Sequence, residues 1–533
     1  MAIIINQISM PVNADKNDVI EKALKICGIS RSQLTAADIH KTSLDARKRN
    51  NIHFVHSVYA ELNDSAAEEK LCGKYAFCKL ASSSEIKPVL SDKKRSGRVV
   101  IAGFGPAGMF CALLLARYGY KPLVLEKGAA VDKRDEKVRH FWKTGELDEN
   151  SNVQFGEGGA GTFSDGKLTT RIKDPLCRYV AETFAQYGAD SSILTKAKPH
   201  IGTDVLKGVV RNIRNEIISL GGEIAFETPL TDIKIKNGSV CSVISERGEE
   251  ECAALVTACG HSAGEVFHML HNRGIYLEPK PFSVGARIEH TQTAVNESLY
   301  GEHAGNPLLP VGEYQLSHRV GGRGVYTFCM CPGGTVVAAA SEQGGVVTNG
   351  MSEFSRSGSN ANAAVVVSVS PEDFGSGAFD GFEFARKIER AAYEMTKARG
   401  YTAPATTVGG FFQGRPTLKN ASVYPTYQRG TEAAELRELF PKFVTDMLEE
   451  GLRVFGRKMR CYSDMGAVLT APETRTSSPI RIPRNDFAVS AQADNLYPCG
   501  EGAGYAGGIT SAAVDGMKCA EAVIPVSYTH LRA

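Results

Sequence analysis

The sequence predicts an α/β fold in which strand–turn–helix segments of a parallel sheet bracket an inserted β-rich domain, with a small α+β domain in front. Two observations predict it. Residues 98–126 contain a buried strand, a glycine turn, a helix and a second strand, and residues 495–524 contain another strand, glycine turn and helix. Between them, residues 281–489 are rich in short strands and glycine turns, with one helical segment around 380–398.

Length and composition exclude several classes of protein. The 533 residues are enough for two or three domains. The 61 Lys and Arg against 59 Asp and Glu give a net charge of +2, which points to no polyanionic partner. No apolar run approaches the roughly 18 residues of a membrane span, and the N-terminus lacks the features of a signal peptide. The 13 cysteines include no CxxC pair. We therefore expect a cytoplasmic, reducing location and no metal site.

The first 95 residues predict a small α+β domain that ends in a linker. The first twelve residues and residues 51–62 have strand-like patterns, and the apolar spacing from Asp15 to Cys27 predicts a helix. The polar stretch 82–97 is typical of a linker. The basic segment DARKRNN, residues 45–51, leaves two alternatives. It contacts RNA, or it is the solvated face of a helix, and the second is favoured.

The turn after the buried strand of residues 99–102 has the glycine pattern of a dinucleotide site, GFGPAG. Gly103 permits the tight turn, Gly105 lets the backbone approach a pyrophosphate, and Gly108 allows close packing of helix and strand. The following helix begins at Pro106 and Ala107, and its positive end faces the phosphates. NAD, NADP and FAD all use this turn.

Two further features extend this site. Glu126 follows the second strand, where it can accept hydrogen bonds from ribose hydroxyls and would repel the 2′-phosphate of NADP. We assign Lys127 beside it to the same site. The glycine-rich segment 152–168 contains Gly158 and Gly159, whose free N–H groups could cradle a pyrophosphate or hold a flavin ring. A plain surface loop is the alternative for this segment.

Two later glycine turns indicate which dinucleotide is bound. One follows a buried strand and ends at Gly260. The other comprises Gly500 and Glu501, then Gly507 and Gly508 at the start of a helix. An acid there can hold a ribityl hydroxyl, and the helix N-terminus can face the flavin. An NAD dehydrogenase needs no second, distant turn, whereas a cofactor as long as FAD does. The pair of turns therefore predicts FAD.

At this point the chain resembles a known family. The segments KTSLDARKRNNIHFVHSVYAEL, FSVGARIEH, GVYTFCMCPGG, SEQGGVVTNGMS and TAPETRTSSPIRI are similar to bacterial FAD-dependent dehydrogenases with an FAD-dependent-protein C-terminal domain. More broadly, the chain resembles flavoproteins of the glutathione reductase type, whose FAD-binding domain is Rossmann-like. The likeness covers residues 1–524. It implies FAD contacts at Gly103, Gly105, Gly108, Glu126, Gly260, Gly500 and Glu501. Glu501 departs from the usual Asp, and TACG replaces the commoner ATG.

We divide the chain into five segments. An N-terminal α+β domain with its linker spans residues 1–95, and the first part of the FAD-binding domain spans 96–280. The inserted β-rich domain, which would carry the substrate, spans 281–489, and the FAD-binding domain closes with 490–524. Residues 525–533, PVSYTHLRA, do not continue the preceding helical periodicity. We expect them to be a non-native tail, with the true C-terminus missing.

Two clusters in the inserted domain are candidates for catalysis. Cys329 and Cys331 lie on the same side if their segment is a regular strand, where they form either a redox pair or two small core residues, the second being favoured. Glu473, Arg475, Arg481 and Arg484 form the other cluster, which would present a guanidinium to an anionic substrate or form a structural ion-pair network, the second being favoured. Arg287 and His290 are similar but weaker candidates.

These features predict an FAD-dependent oxidoreductase that transfers a hydride to or from a small, anionic organic substrate. An alternative is a single-component flavin monooxygenase, to which NAD(P)H binds transiently as the electron donor, because no second GxGxxG unit is present. A flavin-bearing protein that modifies or binds RNA is a third hypothesis, against which the near-neutral charge argues. The sequence predicts neither the substrate nor the oligomeric state.

Overall fold

A computed structural model describes residues 2–81, 97–396 and 400–524. The predicted tail and, apart from Gly97, the predicted linker lie outside the described residues. The described chain has a mixed α/β fold that contains a parallel sheet, which confirms the predicted class at that level. No helix within the described ranges is both long enough and apolar enough to cross a membrane.

The strands fall into short buried pieces in the middle of the chain and longer ones at its start and in residues 282–369. In chain order they are β1 (Ile3–Pro11), β2 (Leu34–Asp45), β3 (His53–Leu62), β4 (Cys78–Leu80), β5 (Val99–Ala102), β6 (Leu123–Leu125), β7 (Glu223–Ala225), β8 (Asp232–Lys236), β9 (Ser239–Ser245), β10 (Gly248–Glu251), β11 (Ala254–Thr257), β12 (Glu278–Pro279), β13 (Phe282–Thr291), β14 (Ser317–Val320), β15 (Arg323–Cys331), β16 (Thr335–Ala338), β17 (Thr348–Met351), β18 (Asn360–Val369), β19 (Ala403–Thr407), β20 (Thr431–Ala433), β21 (Val468–Glu473), β22 (Ile480–Arg481) and β23 (Leu496–Pro498).

The helices are mostly amphipathic and cover the faces of these sheets. In chain order they are α1 (Lys16–Cys27), α2 (Ser65–Lys74), α3 (Pro106–Arg117), α4 (Val131–Thr144), α5 (Leu176–Gln186), α6 (Thr203–Ser219), α7 (Gly264–Asn272), α8 (Gln292–Tyr300), α9 (Pro371–Phe374), α10 (Asp380–Met395), α11 (Val408–Gln413), α12 (Leu436–Leu439), α13 (Lys442–Lys458) and α14 (Ile509–Val523).

The N-terminal unit is an antiparallel sheet with strand order β2-β3-β1-β4, and α1 and α2 pack on it. Asp15 caps α1 by accepting a hydrogen bond from the backbone N–H of Asp18 at 2.8 Å. The β2–β3 ladder continues to the pair Asp45–His53, so residues 45–51 form the connection between two strands. The expectation that DARKRNN is the face of a helix is therefore wrong, because strand pairing extends to its first residue.

The parallel sheet has the strand order β23-β11-β5-β6-β7. Its strands are short and their inner members are buried on both faces, as a parallel sheet covered by helices requires. Helices α3 and α14 lie side by side on one face, and a Cβ at Gly516 of α14 would overlap the Ala107 carbonyl of α3. Only glycine allows this approach, which brings the closing segment beside the first glycine turn.

The segment between these strands is built on a seven-stranded sheet with the order β14-β15-β18-β13-β21-β19-β20. One face carries apolar residues that pack against α10 and α13. The other face carries polar groups, among them Arg287, Glu289 and Asn362. The helical segment expected around 380–398 is present as α10, but it is not alone, because α13 is equally amphipathic and packs on the same sheet.

Candidate active site

The first glycine turn is packed tightly between β5, the start of α3 and the end of β11. Gly103 has φ +100°, and a Cβ there would lie 2.5 Å from the Ala258 carbonyl oxygen. A Cβ at Gly108 would overlap the carbonyl oxygen of Gly103. The predicted reasons for these two glycines, a tight turn and close packing, match the geometry. A Cβ at Gly105, in contrast, would make only ordinary contact, at 3.6 Å from the Gly159 Cα.

The second glycine-rich segment lies directly against this turn. Gly158 donates its N–H to the Phe104 carbonyl at 2.9 Å. Gly159 has φ +64°, and a Cβ there would lie 3.0 Å from the Gly105 Cα. The backbones of the two segments therefore pack directly against each other. This packing disfavours the alternative for residues 152–168, a plain surface loop. The Gly159 N–H donates to the Gly156 carbonyl at 2.9 Å, so the expectation that Gly158 and Gly159 offer free N–H groups is wrong: both are used in backbone hydrogen bonds.

Arg134, which the sequence analysis missed, holds this segment in place. It lies on α4 with no exposed surface. Its guanidinium donates hydrogen bonds of 2.7–3.2 Å to backbone carbonyls of the glycine-rich segment. The accepting carbonyls are those of Asn152, Val153, Gly156, Glu157 and Gly159. Burial lowers the pKa of Arg134 to about 10, and nearby carboxylates oppose that shift. In sequence it is one of several basic residues in a charged helix, and only complete burial distinguishes it.

Glu126 connects the two segments through its carboxylate. It accepts hydrogen bonds from the backbone N–H groups of Phe104 at 2.7 Å, Gly128 at 2.9 Å and Gly156 at 3.0 Å. A carboxylate offers about four acceptor positions, so one stays free for a ribose hydroxyl. The Lys127 ammonium pairs with Glu265 at 3.0 Å and lies over the Phe155 ring, and these three residues line the same cavity as Glu126.

The two later turns meet the first two in space. A Cβ at Gly500 would lie 2.8 Å from the Ala107 Cβ, and a Cβ at Gly502 would lie 2.5 Å from the Gly260 carbonyl oxygen. A Cβ at Gly161 would lie 3.0 Å from the Ile509 side chain at the start of α14. A Cβ at the remaining predicted positions would meet nothing within 4 Å, namely at Gly260, Gly507 and Gly508.

A cavity of about 290 Å³ opens at the carboxyl ends of β5 and β6. Glu126, Leu230 and Ser262 contribute to its wall. Segment 341–343 and α10 close it from the side of the inserted sheet. Small-molecule sites span roughly 300–1,000 Å³, so this cavity suits part of a dinucleotide. The carboxyl edge is also where open parallel sheets bind their ligands.

Glu501 lies in an unusual electrostatic environment for an acid. Burial raises its pKa from 4.5 to about 7, and the charge of Lys280 opposes the rise. The Nδ1 atom of His261 lies 3.9 Å from the Glu501 carboxylate. Burial lowers the pKa of His261 to about 3, so its imidazole is neutral near pH 7. Glu501 therefore exchanges its proton in the physiological range, beside the glycine turns.

The predicted cluster around Glu473 and Arg475 does not form one site. Arg475 forms a two-pronged ion pair with Glu389 at 2.7 and 2.8 Å, and Glu473 forms another with Arg287 at 2.7 and 2.9 Å. Both pairs are buried within the inserted region. This geometry favours the structural alternative for these residues, because each charged group is already satisfied by a partner.

The other candidates of this region do not join either ion pair. Arg484 pairs with Asp515 and stacks on the Tyr505 ring at 3.7 Å. Arg481 is exposed and lies over the same ring at 5.3 Å. His290 is buried, with its ring 4.8 Å from that of Tyr462, and burial lowers its pKa to about 4. His290 therefore belongs to the apolar packing of the inserted sheet.

Cys329 and Cys331 do not occupy a regular strand. The β15–β18 register moves from Phe328–Ala364 to Cys331–Asn362, which inserts an extra residue as a β-bulge. Cys329 has φ +42°. The expectation of two cysteines on one face of a strand is therefore wrong at this position, since the bulge sets their directions.

The sequence is similar to two protein-family models and to one bacterial protein along nearly its whole length. A family described as "FAD-dependent protein, C-terminal domain-like" matches residues 281–476, and a domain of unknown function matches residues 2–61. An uncharacterized protein of Clostridium beijerinckii is 46% identical over 531 residues, which cover 98% of this chain and 99% of that protein. The chain belongs to this family of FAD-dependent proteins.

Solved structures resemble this FAD-dependent family member only distantly. Glycine oxidase from Bacillus cereus has 11% identity and a TM-score of 0.34, covering 80% of this chain and 95% of that one. The amino acid oxidase NikD has 12% identity and a TM-score of 0.37, covering 82% and 96%. Within residues 2–81, 97–396 and 400–524, the five-stranded sheet is the one sheet whose strand pairs are all parallel.

Proposed function

We propose that the chain binds FAD in an extended conformation across the four glycine segments and acts as an oxidoreductase on a small anionic substrate. The observation that carries this proposal is the convergence of four segments, distant in sequence, at the carboxyl edge of one parallel sheet. This arrangement is the one expected of a Rossmann-like domain of the glutathione reductase type. FAD supplies two-electron hydride chemistry when it is bound.

The cavity at the ends of β5 and β6 is assigned to the adenosine end. Glu126 keeps one acceptor position for a ribose hydroxyl, and its negative charge disfavours a 2′-phosphate. The pyrophosphate would lie along Gly105, where no side chain blocks the approach to the N–H groups at the N-terminus of α3. Lys127, held by Glu265, would stay at the rim of this site.

The start of α14 is assigned to the flavin end. Gly507 and Gly508 leave open space in front of the helix, and its free N–H groups favour electron-rich atoms. Gly260 and Gly500 form the adjoining wall. Glu501 can bind a ribityl hydroxyl as donor when protonated and as acceptor when ionised, because its pKa of about 7 makes both forms available.

Two cations near Glu501 support an anionic substrate. Burial lowers the pKa of Lys280, and the neighbouring charge of Arg481 lowers it further. Neither cation forms an ion pair with a carboxylate among the described residues. A carboxylate or phosphate beside them would supply the missing charge. Arg481 therefore takes over the role that the sequence analysis gave to Arg475.

Flavin absorbance of the purified chain tests FAD binding. The parent should contain FAD or take it up when it is added. Gly105→Trp should bind no FAD, because the indole would fill the groove toward Gly159. Gly305→Trp, at an exposed position where a Cβ would contact nothing, is the control. A folded parent that cannot bind FAD would refute the proposal, and full occupancy in Gly105→Trp would contradict the placement.

Anaerobic reduction of the flavin with a panel of organic acids, NADH and NADPH tests the reaction. We expect reduction by an organic anion. Lys280→Met and Arg481→Met should raise the KM for that anion about tenfold or more and leave the FAD content unchanged. An unchanged KM in both variants would remove these cations from the substrate site.

A further inference from the structure

Cys329 and Cys331 have an asymmetric arrangement that the proposed flavin chemistry does not use. Cys329 is partly exposed, whereas Cys331 has no exposed surface. The left-handed conformation at Cys329 departs from a regular strand, in which residues two apart are separated by about 6–7 Å. The Cys331 thiol turns back toward its neighbour, with its sulfur 3.3 Å from the Cys329 carbonyl oxygen.

Arg287 reaches this pair from β13, which lies beyond β18 in the same sheet. Its guanidinium donates to the Cys329 carbonyl at 2.9 Å and to Asn362 at 3.0 Å, while Glu473 holds it from the other side. Asn362 is the cross-strand partner of Cys331 and is completely buried. Its Nδ2 has no hydrogen-bond partner. An unsatisfied buried donor at this position is costly unless it has an anion to bind.

We propose that Cys329 and Cys331 form a redox-active dithiol, in which Cys329 attacks a small-molecule disulfide and Cys331 resolves the mixed disulfide. This step does not require FAD. The Cys329 thiolate attacks one sulfur of the disulfide, whose S–S bond breaks and whose other sulfur leaves as a thiol after taking up a proton. Cys331 then loses its proton and attacks the Cys329 sulfur, which releases the second thiol. One disulfide is reduced to two thiols, and the protein dithiol is oxidised.

The charges around Cys329 favour its thiolate. The hydrogen bond from Cys331 lowers the pKa of Cys329, and the cations Arg287 and Lys167 act in the same direction. Burial and the charge of Glu473 oppose them. The same hydrogen bond raises the pKa of Cys331, as do burial and Asp165. The two thiols titrate as a pair, and the exposed member ionises first.

A second cysteine pair in this chain provides an internal control. The sulfurs of Cys27 and Cys78 lie 3.6 Å apart in the N-terminal sheet, so geometry alone favours a bond between them. Both are buried, and burial raises the pKa of Cys78 to about 12. A buried thiol without a nearby cation is a poor nucleophile. If proximity were sufficient, this pair would oxidise first.

The experiment treats the purified full chain with glutathione disulfide and maps disulfides by peptide mass spectrometry. We expect an intramolecular bond between Cys329 and Cys331, with Cys27 and Cys78 remaining reduced. In Cys331→Ser, glutathione should accumulate on Cys329, because the resolving thiol is lost. In Cys329→Ser, Cys331 should stay unmodified. The double variant Cys27→Ser/Cys78→Ser should form the bond as the parent does.

The pH dependence of alkylation at Cys329 is the second measurement. Its rate should reach half of its maximum at a lower pH than that of an ordinary cysteine, whose pKa is about 8.5. Exposed Cys241 reports that the reagent is active in each sample. A Cys329 that stays reduced while Cys241 is glutathionylated, or that alkylates with a midpoint above pH 8, would overturn the proposal. Circular dichroism of each variant checks that it is folded.

Discussion

Arg134 shows how one buried side chain can determine a backbone that binds a ligand. Its five carbonyl contacts hold the backbone of residues 152–159 against α4. Among the described residues, the Asn152 and Val153 carbonyls have no donor other than Arg134. The Gly156 and Gly159 carbonyls also accept from backbone N–H groups, and the Glu157 carbonyl also accepts from the Thr162 hydroxyl. The shape of the segment therefore depends on this guanidinium most strongly at residues 152 and 153.

We predict that Arg134→Met lowers the free energy of unfolding by about 3–5 kcal/mol, because several buried carbonyls lose their donor. FAD content should fall with it. Urea denaturation at pH 7 measures the first effect and flavin absorbance the second. Arg139→Met, on the same helix with its side chain 70% exposed, is the control and should change stability by less than about 0.5 kcal/mol. Equal effects in the two variants would contradict the role of Arg134.

Glu501 makes stability depend on pH near neutrality. Its folded-state pKa is raised, so the protonated form is favoured by the fold. The stability that protonated Glu501 contributes is fully present below pH 4.5 and is lost as the pH rises through about 7. Its neighbour His261 does not obscure this change, because burial lowers the pKa of that imidazole to about 3 and leaves it neutral in that range.

We predict that the parent loses about 2 kcal/mol relative to Glu501→Gln between pH 5 and pH 8, given that the Glu501 side chain is 26% exposed. The measurement is urea unfolding of both proteins without FAD across this range. Glu432→Gln, at an exposed position on β20, should track the parent at every pH. A difference between parent and Glu501→Gln that stays constant with pH would show that Glu501 does not titrate there.

At the scale of elements, local pattern predicted the structures whose signal is continuous. Helix α1, strand β3 and the β5–α3–β6 unit follow the periodicity and turn residues that predicted them. Helix α13 was missed, although Val444, Leu448, Leu452 and Phe455 have helical spacing. Gly451 and Gly456 interrupt its apparent propensity. Gly451 is required by packing, since a Cβ there would lie 2.6 Å from Val325.

The bulge in β15 could not be predicted in this way. It depends on register with β18, a strand that begins thirty residues later, and the sequence CMC satisfies a regular strand equally well. Likewise, the ion pairs of Arg475 and Glu473 depend on partners brought together by the sheet. The residue types indicated that ion pairs would form, but only the tertiary structure determines which charged residues pair with each other.

The pair Arg287–Glu473 joins β13 to β21 and gives a prediction about these elements. Glu473→Gln should cost about 3–5 kcal/mol of unfolding free energy, because a buried guanidinium loses its counter-charge. The double variant Arg287→Met/Glu473→Gln should cost less than the sum of the single ones. Chemical denaturation of the four proteins gives the coupling energy. Additive losses would mean that the two residues contribute independently.

At the scale of the whole molecule, the sequence predicted the four glycine segments as parts of one site but not what supports them. Their turn chemistry is local, and therefore visible in the chain. Arg134, Lys280 and segment 341–343 reach the site from other elements and have no local signature. The proposed division into domains remains a prediction. The closing segment packs closely on α3, so a boundary in the sequence at residue 490 does not mark a boundary between structural units.

The N-terminal hairpin β2–β3 contacts both major parts of the molecule. Thr42 donates its N–H to the Thr195 carbonyl at 2.7 Å and accepts from the Ala197 N–H at 2.8 Å. At the tip of the hairpin, the guanidinium of Arg49 donates to the Ser298 carbonyl at 2.6 Å. Residues 195–197 lead into the strand pairing of His200 with Lys167. The hairpin thereby connects the inserted region to the edge of the glycine-rich segment.

We predict that Arg49→Ala loosens this connection. The loss of one charge-assisted hydrogen bond costs about 1 kcal/mol, so exchange of the Thr42 and Ala197 amides through local opening should accelerate about fivefold. Hydrogen exchange read by mass spectrometry on peptides covering residues 38–46 and 193–199 measures it. Arg47→Ala is the matched control, because Arg47 pairs only with Asp45 in its own turn. Equal exchange in the two variants would mean that Thr42 alone docks the hairpin, since its two backbone bonds are unaffected by either substitution.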